Sequence, residues 1–135
     1  MATTQSRSRR RTSAKRSRSR SAPLLPVPPA VQSAAKLAFA LKKLGFRGAT
    51  ETGWKRARKL ANGTGANEND LRTMRAWFAR HKISSLPTYE SWVKAGKPRT
   101  ADWFNRRGVI AILCWGGPAA MRWVESVRVA KMLDH

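Results

Sequence analysis

The segment from Ser6 to Ser21 reads SRSRRRTSAKRSRSRS, and it limits which part of this chain can fold. It carries eight Arg or Lys, no acid and no large apolar side chain. With no apolar surface to bury, such a segment does not offset its ordering entropy and is expected to be disordered alone. A flexible polycation is suited to binding a polyanion by counterion release, whatever the base sequence. Arg7, Arg9, Arg10, Arg11, Lys15, Arg16, Arg18 and Arg20 are therefore candidate phosphate contacts. Residues 30–135 hold 20 basic and 7 acidic residues, so the arm extends a body that is itself basic. A net charge of +21 opposes compaction unless salt or a polyanion screens it. Mass action then implies that a bound polyanion stabilises the fold.

The arm also interleaves Arg with Ser. Ser6, Ser8, Ser17 and Ser19, with Ser13 and Ser21, are candidate phosphorylation sites. Each phosphate would cancel up to about two positive charges. The plainer reading is that Ser keeps the arm soluble and flexible. Arg9-Arg10-Arg11 and Lys15-Arg16 fit a nuclear import signal in a eukaryotic host, as any polybasic tail does. A charged N-terminus without an apolar centre is not a signal peptide. The longest apolar run, Val109–Trp115, is too short to span a bilayer.

Residues 22–29, APLLPVPP, contain four Pro, which favours polyproline II and excludes helix. They read as a semi-rigid spacer or, alternatively, as a segment whose Leu24, Leu25 and Val27 dock into a neighbour's groove. Fully extended, residues 1–29 reach on the order of 90–100 Å.

From Ala30 onward the apolar spacing is helical. Residues 31–44 place Ala34, Leu37, Ala38, Leu41 and Leu44 on one face, with Gly45 as the stop. A second helix fits 52–61, with Trp54, Ala57, Leu60 and Ala61 inward and Lys55, Arg56, Arg58 and Lys59 outward. A third fits 68–82, with Asn67 as N-cap and Leu71, Met74, Phe78 and His81 on one face. Pro87 should start a short separate helix at 88–95, with Tyr89, Trp92 and Val93 inward. Thr100 should cap a helix over 101–115 whose end, after Gly108, is the most buried segment. Pro118 should open a last helix, 119–133, with Met121, Val124, Val127 and Met132 as its core side. No stretch alternates in a way that argues for a sheet, and no internal repeat is present. Six Trp outside the arm supply much burial per residue, which suits a small charged domain.

The basic residues of the body that are candidates for phosphate contact are Lys55, Arg56, Arg58 and Lys59 on the second helix, Arg72 and Arg75 on the third, and Arg106 and Arg107 in mid-helix. A helix-turn-helix would want a polar recognition helix, whereas the start of 68–82 is acidic, the wrong sign for entering a groove. Base stacking is conceivable at Trp103–Arg107, although aromatics at helical spacing are more often core. Signals for catalysis are poor. The acids are scattered, His and Cys are too few for zinc, and Gly116-Gly117-Pro118 lacks a following Lys and reads as a helix–helix turn. Cys114 and His81 are formally a thiol–base pair, but Cys114 lies in the apolar run VIAILCW and reads as a buried, reduced thiol. No cofactor, metal or small-molecule substrate is expected.

Three blocks carry a resemblance: Gly53-Trp54-x-x-Ala57-x-x-Leu60-Ala61, then Leu71-Arg72-x-Met74-x-x-Trp77-Phe78-Ala79-Arg80-His81, then Trp115-Gly116-Gly117-x-Ala119-x-x-x-Trp123. Over roughly residues 50–126 the chain resembles a small Trp- and Gly-Gly-containing domain of large double-stranded DNA viruses of algae and amoebae and of some tailed phages. Where that pattern commonly has Asp after the paired Gly, this chain has Pro118. The resemblance implies no activity. It implies a viral context, with the protein carried in the virion, at its core or inner capsid surface, after assembly in the host nucleus or cytoplasm.

The expected architecture is all-α: a disordered arm (1–21), a Pro-rich linker (22–29) and a compact domain of five or six short helices (30–135). The expected function is non-enzymatic: nonspecific binding of viral DNA, serving genome packaging, through the arm and the basic helix faces. The rival is a minor capsid or cement protein whose arm threads between capsid proteins, favoured by Leu24-Leu25, which a pure DNA arm does not need. A third class, an RNA- or ribosome-associated protein, fits the charge equally well.

Overall fold

A computed structural model describes residues 24–133 as six α-helices and one 3₁₀ turn. The helices are α1 (Pro29–Leu44), α2 (Glu51–Asn62), α3 (Glu68–Lys94), α4 (Gly108–Cys114), α5 (Gly117–Val124) and α6 (Val127–Leu133); the 3₁₀ turn spans Ala101–Trp103. Among the described residues there is no strand, and the one β-bridge joins Leu25 to Ala66. The all-α expectation holds. The apolar run after Gly108 is the centre of the domain: Val109, Ile110, Ile112, Leu113 and Cys114 are almost wholly buried. Helices α1, α2, α3 and α5 all pack around α4.

Helix α1 ends as its sequence indicates. Gly45 takes φ 120°, and the Phe46 N–H returns to the Leu41 carbonyl at 3.1 Å, closing a Schellman-type stop. Its inner face is Val31, Ala35, Ala38 and Leu41, while Leu44, expected inward, is 47% exposed.

Three helix boundaries differ from expectation. The 68–82 and 88–95 segments are one 27-residue helix, α3, which runs through Pro87. A mid-helix proline removes one hydrogen bond and costs about 3 kcal/mol. Here Pro87 lies on the solvent side, and the carbonyl it frees belongs to Ile83, an 83% exposed residue that water can serve. The opposite face carries Leu71, Met74, Trp77, Phe78, Ser85 and Trp92 without interruption, so its burial outweighs the break. That face needs α4 close: a Cβ on Gly108 would lie 2.8 Å from the Ser85 carbonyl oxygen and 2.8 Å from Thr88 Cβ. Tyr89 and Trp92 do pack inward, but Val93 is exposed.

The expected helix 101–115 is split. The Arg47 N–H donates to the Phe104 carbonyl at 2.9 Å, and the Phe104 ring packs against Phe46 at 5.0 Å. These contacts fasten 104–107 to the α1–α2 connection and hold it out of a helix. Arg106 and Arg107 therefore stand at a junction, with Arg107 in the N-cap position of α4, and not in mid-helix. The last segment is also two helices. The Ser126 hydroxyl accepts the Val129 N–H at 3.4 Å and starts α6 afresh. Val124 and Met132 are core, as expected, and are joined by Ala120, Val129 and Leu133; the Val127 side chain, also expected inward, lies outside what the structure describes.

The Pro-rich segment does more than space. Leu25 and Ala66 exchange two backbone hydrogen bonds of 2.9 Å, the Gln32 side-chain amide donates to the Val27 carbonyl, and Val27 is 4% exposed. Leu25 and Val27 thus dock onto this chain's own body, and Pro29 is the first residue of α1.

Candidate nucleic-acid interface

The arm residues Arg7, Arg9, Arg10, Arg11, Lys15, Arg16, Arg18 and Arg20, and the serines Ser6, Ser8, Ser17 and Ser19, lie outside the described residues. The structure redistributes the candidates in the body.

Four of the predicted helix cations lie within 4.0 Å of a carboxylate, three in exposed pairs and the fourth, Lys59, beside the mostly buried Asp70. Lys55 stands 3.7 Å from Glu51, Lys59 3.9 Å from Asp70, Arg72 2.9 Å from Glu68 and Arg75 3.3 Å from Glu125. Arg72 also donates to the Leu133 carbonyl. Exposed pairs of this kind are worth about 0–1 kcal/mol, so a phosphate can compete for the cation. Arg58 is exposed and has no carboxylate within 4.0 Å among the described residues.

Arg56 is a correction. It was expected to project outward, but its side chain is only 13% exposed. It donates to Asp70 at 2.9 Å and lies over the Trp115 ring at 5.6 Å. Asp70 also accepts the Asn67 N–H, while the Asn67 side chain accepts the Asp70 N–H, a reciprocal cap at the start of α3. Burial alone pushes Asp70 upward. The Asn67 N–H, the Arg56 bond and charge, and Lys59 together outweigh that and hold its carboxyl below the usual aspartate value. Arg56 is thus a structural cation joining α2 to α3, unavailable to phosphate.

The open basic cluster lies elsewhere. The Arg47–Phe104 bond and the close approach of Gly48 to the Arg107 backbone bring Arg47, Arg106 and Arg107 to one junction. A Cβ on Gly48, which has φ 149°, would fall 2.3 Å from the Arg107 carbonyl oxygen, so only glycine permits this approach. All three arginines are exposed, and none has a carboxylate within 4.0 Å among the described residues. Arg47 was missed from sequence because it stands alone between Phe46 and Gly48, and only tertiary contact gives it neighbours.

Trp103 does not offer a stacking face. It is 8% exposed, and Arg106, rather than Arg107, covers its ring at 3.9 Å. Cys114 is fully buried, and burial pushes its thiol up to about 12, so it stays protonated at neutral pH. Beside the arginine junction opens a cleft of about 260 Å³ bounded by the start of α2, α3 and the ends of α4. Trp115 stacks on Trp77 (4.9 Å, 11°), and Trp77 on His81 (4.7 Å, 28°), along its wall. Among the described residues no group of three or more His, Cys, Asp or Glu is placed to hold a metal, and no helix is long and apolar enough to cross a membrane.

Comparison with protein-family models, with curated proteins and with solved structures finds no match to this chain.

Proposed function

We propose that this protein is a non-enzymatic nucleic-acid-binding protein that neutralises phosphates nonspecifically through its basic N-terminal segment and the Arg47–Arg106–Arg107 junction. In the viral setting that the sequence blocks suggest, the polyanion is genomic DNA and the role is packaging. The observation carrying this reading is charge without local compensation. The chain is +21, and the backbone contacts of the junction bring together three exposed arginine residues with no acid in ion-pair range among the described residues. Phosphate contact needs no more than this, and it supplies nonspecific affinity.

The capsid-linking reading drew its support from the apolar residues of 22–29. Leu25 and Val27 now have an intramolecular role, which removes most of that support; Leu24, 59% exposed, is what remains. A fluorescence anisotropy titration with short duplex DNA tests the proposal. Deleting 1–21 and, separately, changing Arg47, Arg106 and Arg107 to Gln should each weaken binding. Unchanged affinity in both variants would refute it. Retention of the protein on DNA-free shells after mild salt disruption of particles would favour the capsid reading, and preference for RNA of equal length the third.

A further inference from the structure

Helices α1 and α2 pack side by side, and an aromatic pair sits at their seam. Trp54 of α2, expected inward, is only partly buried, and so is Phe39 of α1. Their rings lie 5.2 Å apart with 44° between planes. The Lys42 ammonium stands over the Trp54 ring, 4.5 Å from its centroid. Lys42 is itself exposed, so the group over the ring is a flexible side chain that can swing aside. By contrast Trp77, Trp92, Trp103 and Trp115 are buried.

Cations frame this pair. Lys36 and Lys43 lie about one turn to either side of Phe39, and Arg58 lies one turn beyond Trp54. All three are exposed, and neither they nor Lys42 have a carboxylate within 4.0 Å among the described residues. Glu51, one turn before Trp54, is 3.7 Å from Lys55. An accessible ring with a positive rim suits a chain that carries a flat apolar face and an anion in every unit. In a duplex the base faces are covered by their neighbours, so this ring can take only an unpaired base.

We propose that Trp54, backed by Phe39, is a stacking platform for an unpaired base of a single-stranded nucleic acid, with Lys36, Lys42, Lys43 and Arg58 neutralising the flanking phosphates. The inference deepens the nucleic-acid-binding reading and rests on it. Base stacking on an aromatic ring is stronger than an exposed cation–π contact, so the base displaces Lys42 from the ring. The freed ammonium then pairs with a phosphate of the same strand, which offsets the contact it gave up.

The test uses the full chain and three labelled oligonucleotides with equal numbers of phosphates: oligothymidylate, an abasic strand and a duplex. Binding is read by fluorescence anisotropy at one salt concentration. Oligothymidylate should bind about tenfold more tightly than the abasic strand, which has the charge without the bases. Trp54→Leu should erase that difference and leave duplex affinity unchanged. Should that variant fail to fold, the unaltered chain still decides the matter by NMR. The Trp54 indole N–H should shift with oligothymidylate and stay still with the abasic strand. The Trp92 indole, which donates to the Pro98 carbonyl at 2.8 Å, is the internal control. A base preference that survives Trp54→Leu, or a Trp54 resonance that oligothymidylate does not move, overturns the platform. If all three oligonucleotides bind equally, phosphate neutralisation stands and the platform fails. If only oligothymidylate binds, the platform stands and the packaging of duplex DNA fails. Binding of none removes both.

Discussion

Asp70→Ala removes two things at once. It takes the carboxylate from Arg56, whose side chain is 13% exposed, and it leaves the Asn67 N–H without its acceptor at the start of α3. Removing one partner of a buried ion pair costs about 3–5 kcal/mol, and losing a helix cap about 1 kcal/mol. The two overlap, so about 4 kcal/mol is expected, a large part of the 5–15 kcal/mol typical of a domain. With a urea m-value of about 1.5 kcal/mol/M, the midpoint should fall by about 2–3 M, read by tryptophan fluorescence and circular dichroism. Arg56→Met on top of Asp70→Ala should recover part of the loss, because it removes the stranded charge and also an Nε that is buried without a partner among the described residues. Asp70 is held below its unfolded value, so its contribution is complete above the unfolded aspartate range and is lost as pH falls through the lowered folded value. Asp70→Asn should erase that acid-side slope. A loss under about 1 kcal/mol for Asp70→Ala, or no coupling to Arg56, would refute the claim that this pair ties α2 to α3.

Other consequences follow from the packing. Gly108→Ala should destabilise the fold by about 1–3 kcal/mol in the same urea assay, because its Cβ meets the Ser85 carbonyl of α3. Pro87→Ala should raise stability by about 1–3 kcal/mol by restoring the hydrogen bond to Ile83, less a smaller loss through the freer unfolded chain. A destabilised variant would mean that the proline is required by its surroundings. Cys114 should resist a thiol reagent in the native protein and react once denatured; rapid native labelling would contradict its burial.

Helices α1 and α2 were legible because each is short, periodic and closed by glycine or asparagine–glycine, so local rules and tertiary packing agree. The central run after Gly108 was legible from its composition alone. The errors came where tertiary contacts overrode local signals. Pro87 is a breaker by local rules, yet a continuous buried face carries the helix past it. The 101–115 pattern looked helical, but the Arg47–Phe104 bond and the Phe46–Phe104 contact hold 104–107 as a junction. The same contacts explain the candidate site. Spacing alone gave Arg56 the outer face of a helix, whereas its partner, Asp70, comes from α3, 14 residues away. Arg47 has no local signal, since its neighbours are supplied by the segment around Phe104.

The most direct measurement is the salt dependence of duplex DNA binding by the full chain, compared with the chain lacking residues 1–21. Eight arm cations and three at the junction give an expected log–log slope of up to about −10, falling to about −3 without the arm. A slope near zero, or no binding at low salt, would contradict phosphate neutralisation as this protein's function.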